Sequence, residues 1–120
     1  DFLWGGAGAD GLEGGLGADI YYFAATTDSP VKDPDYLYFF ESRFEEEMIV
    51  FDGFLQGKEW TYSAKGLTNS GHTELFFKEN GDGFSGTLYL DAEGDGQADM
   101  AIDMGVADLG QLDAGDFIVT

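Results

Sequence analysis

Four residues recur in this chain at a fixed step. Gly5, Gly6, Gly8 and Asp10 reappear nine positions on as Gly14, Gly15, Gly17 and Asp19, and in both copies an apolar-bodied residue, Leu12 or Tyr21, stands two after the Asp. Asp1 and Leu3 fit the end of a preceding copy, and Asp28 keeps the same step beyond, although residues 24–27 carry no glycine. These residue types suit one kind of chemistry. The glycines allow a tight turn with bare carbonyls, and the Asp adds a carboxylate. Calcium wants roughly six to eight oxygen ligands in flexible geometry, which such a turn supplies. The candidate ligands from this repeat are Asp1, Gly5, Gly6, Gly8, Asp10, Gly14, Gly15, Gly17, Asp19 and Asp28.

Two other readings of the glycines are open to test. Gly6, Gly8 and Gly11 satisfy the G-x-G-x-x-G pattern of dinucleotide folds, but that pattern works only between a strand and a helix, and a glycine-rich stretch resists helix formation. A flexible linker predicts no phase between Gly and Asp, whereas both copies keep all of theirs. Calcium turns account for the phase.

Elsewhere, Asp91, Glu93, Asp95, Gly96 and Asp99 imitate an EF-hand loop, but its twelfth position is Ile102 where a bidentate Glu is needed. Asp95-Gly96 is equally a tight hairpin pair. His72 is the single histidine, so a two-histidine zinc site is impossible, and its turn-like context reads as a solvated loop. The acids Glu45, Glu46 and Glu47 have no visible partner to split their pKa values, so they read as charged surface rather than a catalytic pair. The chain shows no catalytic machinery.

The elements that must position the turns are short strands. The 120 residues are one domain's worth, and 11 Phe, 6 Tyr and 2 Trp suffice for a core. There is no Cys, hence no disulfide or thiolate site. Against 24 acids stand five cations, Lys32, Arg43, Lys58, Lys65 and Lys78, for a net charge of −19. Such repulsion opposes compaction, and a divalent cation relieves it, so metal binding is expected to be coupled to folding. Nucleic acid is excluded as a partner because phosphate binding needs a basic face. No apolar run suits membrane insertion and no signal peptide is visible. A start inside a repeat is expected of a fragment.

Strands are expected at Ile20–Phe23 (closing the coiled part), Tyr36–Phe40 (a buried strand, its aromatics filling the core rather than stacking on sugars), Met48–Phe51, Trp60–Tyr62, and a terminal stretch at 116–120. Hairpins are expected where Asn80-Gly-Asp-Gly83 joins Thr73–Lys78 to Gly86–Leu90, and where the acidic loop 91–99 joins Leu88–Leu90 to Met100–Ile102. Residues 41–47 read as a charged loop and 108–113 as a helical turn. The class is all-β: parallel β-roll turns leading into a sandwich-like antiparallel C-terminal part. The expected division is a nonapeptide roll at 1–28 and a β region at 29–120, as one continuous unit.

The ordered landmarks resemble a family. The nonapeptides, Asp28-Ser29 with Asp35 seven on, the stretch from Glu47 to Phe54, Gly94-Asp95-Gly96 with Asp99, and the terminal Asp116-Phe-Ile-Val119 resemble the C-terminal calcium-binding domain of repeats-in-toxin secreted proteins, serralysin-type metalloproteases in particular. Phe39-Phe40 and Val50 depart from it where acids are usual. The resemblance implies calcium as cofactor, folding on export to an extracellular location, and type I secretion machinery reading the C-terminus. It further implies an upstream domain, an enzyme such as a metalloprotease or an adhesin, as partner within the same chain. It adds Asp35 to the ligands. In a β-roll each turn stacks on the next but one, so Gly5–Asp10 should lie on the loop bearing Asp28 and Asp35, and the Asp1 remnant on Gly14–Asp19. The alternative is a carbohydrate-binding module resembling the R-modules of alginate epimerases. That would need a basic groove gathering Lys58, Lys65 and Lys78.

Overall fold

Two residues of strand, then a glycine turn, then two of strand again: that local pattern sets the architecture. The computed structural model describes residues 2–15, 18–40, 47–55, 59–63, 65–106 and 114–119. Among these, β1 (Phe2–Leu3), β2 (Gly11–Leu12), β3 (Ile20–Phe23), β4 (Asp35–Phe40) and β5 (Met48–Phe51) follow one another along the coiled part. Each enters the sheet that its predecessor did not. The first sheet runs β1-β3-β5-β10, closed by β10 (Phe117–Val119), and every pairing in it is parallel. The second takes β2 and β4 in parallel and continues into β9 (Met100–Val106), β8 (Ser85–Asp91), β7 (Thr73–Glu79) and β6 (Trp60–Ser63).

This is the all-β roll expected, and it passes into an antiparallel part as expected. β7 and β8 pair antiparallel, as do β8 and β9, across the two turn-forming stretches. One pairing was not foreseen: β6 lies parallel to β7 through a crossover loop. The two sheets face each other over a core of alternating residues. Tyr21, Phe23, Ile49, Phe51 and Phe117 come from the first sheet, and Leu37, Leu75, Leu88, Leu90, Met100, Ile102 and Met104 from the second. Alternation follows from the period of two along a strand, which sends neighbours to opposite faces.

Two expectations need correcting. Ile20–Phe23 does not close the coil; it lies between β1 and β5, which continues it. The apolar run of β4 is not buried on both faces. Leu37 is fully buried, Tyr36 is half-buried and Tyr38 is 45% exposed, because among the described residues no layer covers this sheet's outer face. Most of the charged loop expected at 41–47 and the helical turn expected at 108–113 lie outside the described residues, as does Lys58.

Candidate metal centre

The glycine turns sit where the chain changes sheets, so they line the two edges of the roll in alternation. On one edge the turn 5–10 stacks on the loop 24–34. The contact runs through the start of β4, just after that loop: the Tyr36 N–H donates to the Asp10 carbonyl at 2.8 Å, and the Asp10 N–H donates to the side-chain Oδ1 of Asp35 at 2.8 Å. Gly6 and Gly8 have φ of 75° and 99°, the left-handed region that glycine enters without penalty. Gly5 is needed for a different reason. A Cβ there would stand 2.5 Å from Asp10 Oδ2, because the Asp10 carboxylate folds back over the glycine.

That carboxylate is the decisive feature. Asp10 Oδ2 and Asp35 Oδ2 are both buried and accept no hydrogen bond. Asp35 has no exposed surface, and burial, then the nearby charges of Asp10, Asp28 and Asp33, push its carboxyl up to about 6 although the Asp10 N–H works the other way. Asp28 stands near enough for its charge to act on Asp35, on a single 3-10 turn, Thr26–Asp28, but the three carboxylates do not gather into one cluster. Asp28 Oδ2 is already engaged, accepting from Trp4 Nε1 at 3.0 Å and from the Ala24 N–H at 2.8 Å.

The opposite edge repeats the design. Asp19 is 1% exposed and folds over Gly14, where a Cβ would collide with its carboxylate. The Met48 N–H donates to the Asp19 carbonyl at 3.0 Å, the counterpart of Tyr36 and Asp10. Glu47 precedes Met48 as Asp35 precedes Tyr36, and it is 2% exposed. The surface reading of Glu47 is therefore wrong, and this acid is the residue that sequence reasoning missed. Its signal was present: an acid directly before a roll strand. The Tyr21 hydroxyl accepts from the Gly14 N–H at 3.1 Å, and burial, then the charges of Glu47 and Asp19, push its pKa up to about 12. Gly15 has φ 77°. Asp1 and Gly17 lie outside the described residues.

The donor set fits calcium. Among the described residues no three His, Cys, Asp or Glu side chains gather as metal ligands, so a cation between Asp10 and Asp35 would have to complete its shell with carbonyl oxygens and water. A hard ion of flexible geometry accepts that mixture, whereas zinc would ask for nitrogen or sulfur.

The family model for the serralysin C-terminal region of the M10 peptidases matches residues 2–119. The chain belongs to the serralysin C-terminal family. A search among curated proteins gave no match. Serralysin C-terminal domains are non-catalytic, repeats-in-toxin-type modules of secreted proteins, in keeping with the reading of this chain as a module without catalytic machinery.

In this serralysin C-terminal domain the carboxylates of the EF-hand-like loop accept hydrogen bonds from the loop's own backbone. Asp91 has no exposed surface, and its two oxygens accept the N–H groups of Gly94, Asp95 and Gly96. Asp99 Oδ2 accepts the Ala92 N–H. These carboxylates brace a hairpin. His72 is half-buried, its Nε2 3.5 Å from Thr61 Oγ1.

Proposed function

We propose that this chain is the calcium-binding C-terminal module of a secreted protein, and that calcium couples its folding to export. One edge of the roll would hold an ion through Asp10 and Asp35, with Asp28 and the carbonyls of Gly5, Gly6 and Gly8. The other would use Asp1, Gly14, Gly15, Gly17 and Asp19, joined by Glu47. The observation that carries this is the pair of buried carboxylate oxygens, Asp10 Oδ2 and Asp35 Oδ2, without a hydrogen bond at the shared edge. Leaving charged oxygens so buried costs several kcal/mol by ordinary desolvation, and a bound dication offsets that cost. Without calcium the balance of the acid-rich chain shifts toward an expanded, exportable form; with it, residues 1–28 and 29–120 fold as one unit. The type I machinery, the extracellular destination and an upstream enzyme or adhesin are supported by family membership alone.

Thermal melting in calcium and in chelator tests the reading. Saturation at 100 times Kd stabilises the folded state by about 2.7 kcal/mol per ion, which raises Tm by roughly 10 °C in a domain of this size. Asp10→Ala should bind fewer ions by calorimetry and keep those at the Asp19 edge. Equal melting points with and without calcium would refute the proposal.

A further inference from the structure

The outer face of the six-stranded sheet carries aromatic side chains where a solvated face is ordinarily polar. Register places them. Phe76 on β7 lies opposite Tyr89 on β8, their rings stacked with centroids 6.0 Å apart, and Lys78 lies opposite Thr87. Thr87 in turn lies opposite Asp103 on β9 and donates to Asp103 Oδ1 at 2.7 Å. Asp103 lies opposite Tyr36 on β4, whose ring meets Tyr38 at 4.5 Å. One cross-strand row of the face thus reads Lys78, Thr87, Asp103 and Tyr36, and the Phe76–Tyr89 pair stands in the adjoining row. The two aromatic pairs therefore lie on a diagonal with the polar pair between them. Three strand spacings separate β7 from β4, about 14 Å.

At the β7 end the face dips into a shallow, open trough of about 350 Å³ lined by Phe76, Lys78 and Tyr89, with Leu67, Gly96 and Ala98 along its side. Buried acids hold that side in place. Glu74, 5% exposed, accepts from the Thr68 N–H and from the hydroxyls of Thr68 and Ser70. Asp91 pins Gly94 through Gly96 as described. The two loops are joined by Gly71 N–H to the Gly94 carbonyl at 3.0 Å. This is a preformed site, and preformation is what lowers the ordering cost of binding a ligand.

We propose that this face binds a neutral oligosaccharide laid across the strands. A protein partner would favour a continuous apolar core with its charges removed, whereas here a Thr–Asp pair interrupts the aromatics. A polyanion is opposed by a net charge of −19, with Lys78 the one cation among the described residues that line the trough. A pyranose chain presents what the face lacks: C–H surfaces for the rings and hydroxyls for Lys78, Thr87 and Asp103. Tyr36 adjoins the first glycine turn through its own N–H, whereas Phe76, Lys78 and Tyr89 lie at the other end of the face, so the Tyr89 variant tests this proposal apart from the calcium reading.

The test is calorimetric titration of the calcium-saturated 120-residue chain with cellohexaose, maltohexaose, chitohexaose and a hexuronate. At least one neutral hexasaccharide should bind at millimolar or lower concentration, and the hexuronate at least ten-fold more weakly. Tyr89→Ala and Tyr36→Ala should each weaken binding ten-fold or more. Lys78→Gln, on an exposed side chain, should weaken it several-fold, and Phe2→Ala, on the other sheet's outer face, should leave it unchanged. Melting in calcium verifies that each variant is folded. Absence of binding by every neutral hexasaccharide, tighter binding of the hexuronate, or affinity unchanged in both tyrosine variants would overturn the proposal.

Discussion

Gly6 and Gly14 answer to different constraints, and substitution separates them. Gly6 has a positive φ but open space around a Cβ, so Gly6→Ala should cost about 1–2 kcal/mol from backbone conformation alone. At Gly14 a methyl collides with the Asp19 carboxylate, so Gly14→Ala should lower calcium affinity as well as Tm, both read by calorimetry. Asp35 supplies a pH prediction for the metal-free protein. Its carboxyl is raised from 3.8 to about 6, so the folded form holds its proton more tightly than the unfolded chain. The stability that this proton supplies is full below about 3.8 and is lost as pH rises through about 6. The folded state of Asp35→Asn, which keeps an oxygen for the Asp10 N–H, should not show that loss when melted in chelator across this range. Glycine and Asp phase was legible in the sequence because steric demands at a tight turn are local. Glu47 was not, because the acids beside it hid its position directly before a roll strand.

Strands were legible where turn chemistry marked their ends. Asn80-Gly-Asp-Gly83 and the loop pinned by Asp91 delimit β7, β8 and β9. What could not be read was pairing at a distance: β6 beside β7, or the uncovered face that leaves Tyr38 in solvent. A continuous apolar run looks alike whether one face or two are buried. The last strand invites a test that divides fold from sequence. Phe117 is 4% exposed and Ile118 is 40% exposed. Phe117→Ala should cost roughly 3–5 kcal/mol as a core truncation, and Ile118→Ala within about 0.5 kcal/mol as a surface change. If the tail is read as an export signal, Ile118→Ala should reduce type I secretion of the parent without moving Tm. Secretion that follows Tm alone would assign β10 a purely structural part.

For the molecule as a whole, charge and compactness oppose each other. The folded chain has a Cα radius of gyration of 13.0 Å, close to the about 14 Å expected for a compact domain of this length, whereas an unfolded chain would reach about 35 Å. Small-angle scattering should therefore report about 13–14 Å in calcium and a much larger radius in chelator at low salt. Added monovalent salt should shrink the difference by screening the acids, over a Debye length of about 10 Å at 0.1 M. A radius that ignores calcium at every ionic strength would count against charge as the cause.

The parallel pairing of β10 with β5, Phe117 beside Ile49 and Val119 beside Phe51, also sets a timetable. A segment near the end of this chain must find a partner nearly seventy positions earlier, and that partner also abuts β3, the strand leaving the second glycine turn. Contacts so distant in sequence form slowly and reward the chain late. The first sheet is thus incomplete until residues 117–119 have left the ribosome, however long the rest has waited. A sheet that needs so distant a strand has a built-in delay before it can close.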